Sequence, residues 1–360
     1  MDVEEKLDLI CRNPTEEVVT REELKQLLET KEHPVAYQGF EPSGMAHLGT
    51  GLATALKTKD LTDAGIRFKL FLAEWHAWIN NKMGGNLEVI RKVGEYFQKV
   101  WLSLGVPETV EFVWNSEFVN NSEYWGRAIK ILKESTVARI TRCLTIMGRK
   151  EAELREAAQY LYPAMQVSDI YQMELDIACA GLDQRKAHML ARDVAPKLGL
   201  PKIVALHYHL LAGLQGPVKM GGFDEDATVD QEISSKMAKS RPETCIFVHD
   251  SEVEIAQKIQ QAYCPAGQVG GNPVLEIVDH LLFRGREKEF TIERPKKYGG
   301  DVTYWSYEEL EKGFTRKELH PQDLKNKVAQ ELNALIAPCR EYFKENPEYL
   351  KVFHEEDITR

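Results

Sequence analysis

The sequence predicts an α/β fold, a parallel sheet flanked by helices, followed by a mainly helical C-terminal region. Three observations predict it. Short runs of β-branched and aromatic residues alternate with stretches of helical period from about residue 34 to residue 210. Strands spaced by helices of that length imply right-handed crossovers between parallel neighbours, the Rossmann-type arrangement. Beyond about residue 245 strand signals become sparse while helix-start signals continue.

Taken in order, residues 1–33 read as a polar helical extension, with a capping box at Thr20 and Glu23 ahead of Leu24, Leu27 and Leu28. HPVAYQGF (33–40) is the first strand expected, and GLATALKTKDLTDAG (51–65) an amphipathic helix after it. IRFKLFLAEWHAWI (66–79) reads as one buried strand and NLEVIRKVGEYFQKVWLSLG (86–105) as a helix. TVEFVWNSEF (109–118) is a further strand, followed by a long helical tract over about 121–160. MELDIACAG (173–181) and KIVALHYHLL (202–211) complete the strands, with the helix DQRKAHMLARDVAPKLG (183–199) between them. This divides the chain into an extension at 1–33, a catalytic-type domain at 34–244 and a helical domain at 245–360. In the last, capping boxes at Ser251 with Glu254 and Ser306 with Glu309 open helices. Gly-rich KMGG (219–222) and VGGNP (269–273) read as loops, and the acidic stretch 219–235 as a lid or a linker.

Composition narrows the function classes. The N-terminus MDVEEKLDLICRNPTEE lacks an apolar targeting core, and no apolar run reaches the roughly 20 residues that span a bilayer. A soluble, cytoplasmic protein is expected. Six scattered cysteines form no CxxC pair, so reduced thiols are expected rather than a metal site or disulfides. A net charge of −10 disfavours a protein coated for nonspecific nucleic-acid binding but permits a local basic surface.

Two segments carry candidate chemistry. In YQGFEPSGMAHLGTGLAT (37–54) a strand ends, a Gly/Pro/Ser turn follows and a helix starts beside His47. Ligands of open parallel sheets bind at such strand ends, often against a helix N-terminus. Gly49 lets backbone approach a ligand, and His47 can donate to a phosphate oxygen. Alone, that spacing is more often structural. In SSKMAKSRPE (234–243), Lys236 and Lys239 stand in a small-residue loop able to bring ammonium groups onto a polyphosphate; alone, it reads as a solvated basic loop. A third segment places Tyr162, Gln166 and Asp169 at i, i+4 and i+7, one face of a helix, among Met165, Val167 and Ile170. That face reads as open surface or as a pocket wall.

HLGT and KMAKS in this order resemble the HIGH and KMSKS signatures of class I aminoacyl-tRNA synthetases, with Thr50 in place of the second histidine and Ala238 in place of a serine. GFEPSG, YPAMQVSDI, DQRKAHMLAR, AYCPAG, GNP, YGGD and HPQDLKNKVA resemble the tyrosyl-tRNA synthetases of archaeal and eukaryotic type over nearly the whole chain. The resemblance implies a ligase that activates L-tyrosine with ATP and transfers it to tRNA(Tyr). It implies that His47, Thr50, Lys236 and Lys239 stabilise the reacting phosphates. Tyr37 and Asp169 would meet the substrate phenol, and Tyr162, Gln166 and Gln184 its ammonium. His76 would line the pocket or fill the core. Gly39, Gly49, Met237 and Ser240 would contact ATP, with Asp183 either holding the ribose or capping the helix that follows it. Tyr298 and Asp323 would read the anticodon, supported by Arg294, Lys296, Lys297, Lys325 and Lys327, which otherwise read as a solvated helix face; Arg185 and Lys186 would approach the acceptor end. Mg²⁺ would accompany ATP, with no protein-bound metal, and the family is homodimeric, with residues 114–145 the expected interface. Tryptophanyl-tRNA synthetase is the nearest alternative, followed by a cofactor-forming nucleotidyltransferase and a non-catalytic RNA-binding paralogue. The pairing of Tyr37 with Asp169 favours a phenol over an indole, which offers one N–H and no acceptor.

Overall fold

The computed structural model describes residues 1–353; the last part of the expected helical domain, 354–360, lies outside them. A six-stranded sheet forms the centre, built from β1 (Thr15–Val19), β2 (Val35–Phe40), β3 (Arg67–Leu72), β4 (Glu111–Trp114), β5 (Ile177–Gly181) and β6 (Val204–Tyr208) in the order β1-β6-β5-β2-β3-β4. All neighbours run parallel except β1, which pairs antiparallel with β6. The N-terminal segment is thus not a helical extension. Its helices α1 (Val3–Cys11) and α2 (Arg21–Thr30) flank an edge strand of the main sheet. Glu16, Glu17, Val18 and Val19 offer too short and too mixed a run to betray a strand locally; pairing with β6 decides it.

The interior strands are apolar because both faces are covered. One cluster joins Ala36, Phe68, Leu70, Leu72, Ile177 and Leu206 to Val93, Phe97 and Trp101 of α5 (Leu87–Ser103). The other face packs Phe71, Val113 and Ala178 against α6 (Ser122–Lys133), α8 (Tyr162–Gln172) and α9 (Arg185–Leu198). Helix α3 (Thr54–Asp63), expected to be amphipathic, is instead buried nearly all round, including Lys57, Thr58 and Asp60. The Lys57 ammonium donates to the carbonyls of Leu9 (3.0 Å), Ile10 (2.6 Å) and Arg12 (3.0 Å), satisfying groups that the end of α1 leaves unpaired. Asp60 accepts from both Arg12 and Arg284, tying the N-terminal segment to the C-terminal part.

Other elements depart from expectation in instructive ways. The run 66–79 is not one strand: β3 ends at Leu72 and Glu74–Ile79 form α4, which puts His76 on a helix. Likewise β4 stops at Trp114 and Asn115–Glu117 form a 3-10 turn. The tract 121–160 breaks after α6 and α7 (Val137–Cys143) into short 3-10 turns; Gly148 adopts a left-handed φ of 69° that ends the run there. Within 219–235, residues Ala227–Ser235 form a helix, α10.

Among the described C-terminal residues, α11 (Glu252–Gln261), α12 (Pro273–Ile277), α13 (Tyr307–Thr315) and the long α14 (Pro321–Glu345) dominate. They carry one small antiparallel pair, β7 (Phe290–Ile292) with β8 (Val302–Tyr304), that the sequence did not announce. The Ser251 capping box forms as expected. At α13 only half forms: Ser306 accepts from the Glu309 amide, while the Glu309 carboxylate takes the amide of Trp305. The core of this region includes Leu48, Leu52 and Ala53, so it packs directly under the HLGT turn.

Candidate active site

Strand order reverses between β2 and β5, because β3 and β4 continue to one side of β2 while β5 and β6 lie on the other. The carboxyl ends of two adjacent strands therefore open a crevice there, the usual ligand position of such sheets. A small cavity of about 40 Å³ sits in it, lined by Tyr37, Gly39, Glu41, Phe71, His76, Tyr162, Gln166, Asp169 and Gln184 among others. The structure thus gathers Tyr37 from β2, His76 from α4, the α8 stripe Tyr162–Gln166–Asp169 and Gln184 after β5 around one space. The α8 stripe is a pocket wall and not open surface.

Asp169 is the electrostatic centre of the pocket. It is 1% exposed, and burial pushes its carboxyl well above the ordinary range, against the opposing pull of Tyr124 and Asn115. Its Oδ1 accepts from the Tyr124 hydroxyl (2.8 Å) and the Asn115 amide (3.2 Å). Its Oδ2 lies 3.2 Å from His76 Nε2. The Asn115 amide oxygen takes the proton on His76 Nδ1 (3.0 Å), and burial lowers the His76 pKa to about 4, leaving a neutral ring with a lone pair on Nε2. Asp169 Oδ2 and His76 Nε2 thus face each other in the interior, and neither receives a hydrogen bond from another group. A hydroxyl donor brought here meets a strong demand. Beside them the Tyr37 phenol is 2% exposed; burial, then the Asp169 charge, raises its pKa far above normal, so it remains a donor. One acceptor and one donor therefore converge, the complement of a phenol.

At the other end of the cavity, the Tyr162 hydroxyl donates to Glu41 (2.7 Å) and its ring stands edge-on to His76 at 4.6 Å. Gln166 donates to Gln184 (3.3 Å), whose own amide donates to the Ile146 carbonyl (2.8 Å). Glu41, Phe71, Asn115 and Tyr124 were not singled out from sequence. Asn115 and Tyr124 reach Asp169 through tertiary packing alone. Glu41, inside the GFEPSG motif, carried a local signal.

The phosphate-type groups lie next to this cavity. His47 is buried, forms an antiparallel bridge with Phe247 and stands two residues before a wide helical turn, Gly49–Ala53, capped by Leu48. The Gly49 amide donates to His47 Nδ1 (3.1 Å), and burial, with Lys239 and Lys236 nearby, lowers the ring's pKa to about 3. A neutral ring whose Nδ1 accepts must carry its proton on Nε2, ready to donate. A Cβ on Gly49 would lie 3.0 Å from His47 Cε1, so glycine permits this fold-over. Thr50 accepts from the His47 amide (3.1 Å). Lys239 donates to the Ser43 carbonyl (2.5 Å) and hydroxyl (3.0 Å), and its ammonium stands 5.4 Å from the Phe97 ring centroid; burial, then Lys82, brings its pKa down to about 7. Lys236 pairs with Asp183 at 2.7 Å. Asp183 does not cap α9, whose N-cap is Gln184 without a side-chain bond. Met237 is buried and Ser240 exposed.

Elsewhere, Tyr298 is 63% exposed in a 3-10 turn and Asp323 sits in the first turn of α14. Arg185 forms a two-pronged pair with Glu17, and Lys186 is held by Asp224 (3.1 Å) and the Phe223 carbonyl (3.0 Å). All six cysteines are unpaired.

A doubly wound sheet with a histidine turn and a lysine loop flanking a small polar pocket defines a nucleotide-dependent synthetase of the class I kind. The profile of tRNA synthetases class I (W and Y) matches residues 29–230 and 226–337. The tyrosine–tRNA ligase of Thermococcus sibiricus is 48% identical over 375 aligned residues covering all of both chains, and that of Aeropyrum pernix 49% over 344, covering 94% of this chain and 93% of the relative. A crystal structure of the Pyrococcus horikoshii tyrosyl-tRNA synthetase complexed with L-tyrosine superposes with a TM-score of 0.90 at 46% identity, covering 98% of this chain and 99% of that one. The chain belongs to the tyrosine–tRNA ligase family of class I synthetases.

Proposed function

We propose that the chain activates L-tyrosine with ATP and transfers the tyrosyl group to the terminal ribose of tRNA(Tyr). The observation that carries the specificity is the meeting of the Asp169 carboxyl, lacking a donor on Oδ2, with the Tyr37 phenol in one cavity. A phenylalanine ring leaves Asp169 Oδ2 without a donor and offers Tyr37 no acceptor, whereas a tyrosine serves both. An indole N–H could serve Asp169 but offers nothing to Tyr37.

In this reading the tyrosine carboxylate attacks the α-phosphorus of ATP and pyrophosphate leaves; a tRNA ribose hydroxyl then attacks the mixed anhydride and AMP leaves. No protein nucleophile is required, so catalysis is positioning and charge stabilisation. His47 Nε2–H and the ammonium groups of Lys236 and Lys239 supply that stabilisation, with Thr50 contributing a hydroxyl. Gly39, Gly49, Met237 and Ser240 border the nucleotide and Asp183 holds its ribose once Lys236 turns to the phosphates. Tyr162, Gln166 and Gln184 receive the substrate ammonium, with Glu41 adding negative charge. Mg²⁺ arrives with ATP and neutralises phosphate charge. The region from residue 245 onward serves as the anticodon reader through Tyr298 and Asp323, and Arg185 and Lys186 face the acceptor end after exchanging their present partners. A homodimer is supported by the exposed apolar Ile129 (56%) and Val137 (78%) on α6 and α7. The reaction belongs to the cytoplasm, where tRNA and ATP meet.

ATP–pyrophosphate exchange with tyrosine, with tryptophan or with neither, followed by tRNA charging, tests this reading. Exchange supported by tyrosine alone is expected; exchange supported by tryptophan, or none, removes it.

A further inference from the structure

The tyrosine pocket is braced by a residue that does not line it. Glu74 opens α4 and is fully buried. An acidic residue in the first turn of a helix is ordinary, since it suits the helix dipole. Here, however, both carboxylate oxygens are spent on another element. Oε2 accepts the Asn115 amide at 2.9 Å and Oε1 the Ser116 amide at 2.8 Å, the two amides that open the 3-10 turn after β4. Burying a carboxylate is costly unless its oxygens are hydrogen-bonded, and charge-assisted bonds to amides are the strong kind. The pair therefore clamps the backbone of Asn115 to the start of α4.

The clamped residue is the one that arranges the phenol-binding groups. The Asn115 side chain, also fully buried, accepts from His76 Nδ1 at 3.0 Å through its carbonyl and donates to Asp169 Oδ1 at 3.2 Å through its NH₂. The two ends of an amide are not interchangeable: the NH₂ faces the carboxylate, so the carbonyl faces His76. One side chain thus sets which oxygen Asp169 leaves open and which nitrogen of His76 holds the proton. His76 follows Glu74 on the same short helix, so the clamp also fixes the spacing between the His76 ring and Asn115. A misplacement of about 1 Å in such a frame can cost about 10²-fold in rate.

We propose that Glu74 is a positioning residue for the selection of tyrosine, acting through Asn115 on Asp169 and His76; the inference rests on the proposed reading of this pocket. Glu74 touches no substrate atom in that reading. Its work is to hold the Asn115 amide where it serves both neighbours at once, so that the open Asp169 oxygen points at the phenol.

The test is a double-mutant cycle on the full-length chain, read as the ratio of kcat/KM for tyrosine to that for phenylalanine in pyrophosphate exchange. Glu74→Gln is nearly isosteric but turns an NH₂ toward one of the two amides, so one hydrogen bond is lost. The ratio should fall about tenfold, the worth of one such bond, with the KM for ATP unchanged. Asn115→Ala should lower the ratio at least as much, and adding Glu74→Gln to it should lower it no further, because the coupling runs through Asn115. A residue that merely stabilises the fold would lower both amino acids alike and leave the ratio intact. If Glu74→Gln does not fold, Glu74→Asp, which keeps the charge and shortens the reach by one methylene, carries the same comparison. A wild-type chain that fails to exchange with tyrosine removes the functional reading and this inference with it. With wild-type exchange intact, an unchanged ratio in the Glu74 variant, or losses that multiply in the double variant, overturns the inference alone.

Discussion

The two halves of the active site are prepared differently. Around Asp169, the groups Asn115, Tyr124, His76 and Tyr37 sit on four separate elements and fix one another, so the pocket is shaped before a ligand enters. On the phosphate side each charged group is already occupied by a protein partner: Lys239 by Ser43, Lys236 by Asp183. The first half is built for discrimination, since a missing hydroxyl leaves buried groups unpaired. Under the proposed function the second works by exchange, its ammonium groups leaving internal partners to meet phosphates at a cost to the nucleotide's binding energy.

The sharpest way to break this contrast is Asp169→Asn. Discrimination of about 10⁵ against phenylalanine characterises tyrosyl-tRNA synthetases, a figure borrowed from that class and not read from this geometry; the variant should fall toward the roughly 10²-fold of a merely apolar pocket. The ratio of kcat/KM for the two amino acids in pyrophosphate exchange measures it. Lys239→Ala should slow single-turnover adenylate formation by about 10²–10³, the usual cost of one such donor, and leave tyrosine affinity unchanged. A fall in tyrosine affinity would mean that the halves are not separable. Tyr124→Phe removes one of the hydrogen bonds to Asp169 and should weaken tyrosine binding by roughly tenfold, about 1.4 kcal/mol, with the KM for ATP unaltered. The smallest effect is a pH dependence. Burial, reinforced by Lys82, holds the Lys239 pKa near 7 in the free enzyme, so the ammonium is present below that pH and lost above it. The kcat/KM for ATP should therefore decline on the alkaline side of neutrality, and Lys239→Arg, whose guanidinium stays charged, should flatten that decline in a pH–rate profile.

Much of this was written locally in the chain. The i, i+4, i+7 spacing of Tyr162, Gln166 and Asp169 places them on one face of α8, and a Gly/Pro/Ser turn after β2 puts His47 at a strand end. What remained hidden depends on contacts between distant segments. The β1 edge exists because β6 lies beside it, and Glu74–Ile79 turn into a helix although Trp75, His76 and Ile79 suit a strand equally well. Asn115 and Tyr124 carry no local mark of function, since only the folding of β4 and α6 around α8 brings them to Asp169. The partners of Glu74 were invisible for the same reason: no spacing rule links α4 to the turn after β4.

The most direct test of the pocket is a crystal structure of this chain with tyrosine bound. The phenolic oxygen should lie within about 2.6–3.2 Å of both an Asp169 carboxylate oxygen and the Tyr37 hydroxyl, with the ammonium among Tyr162, Gln166 and Gln184. A tyrosine bound with its hydroxyl away from Asp169, or with its ring outside this cavity, would contradict the account.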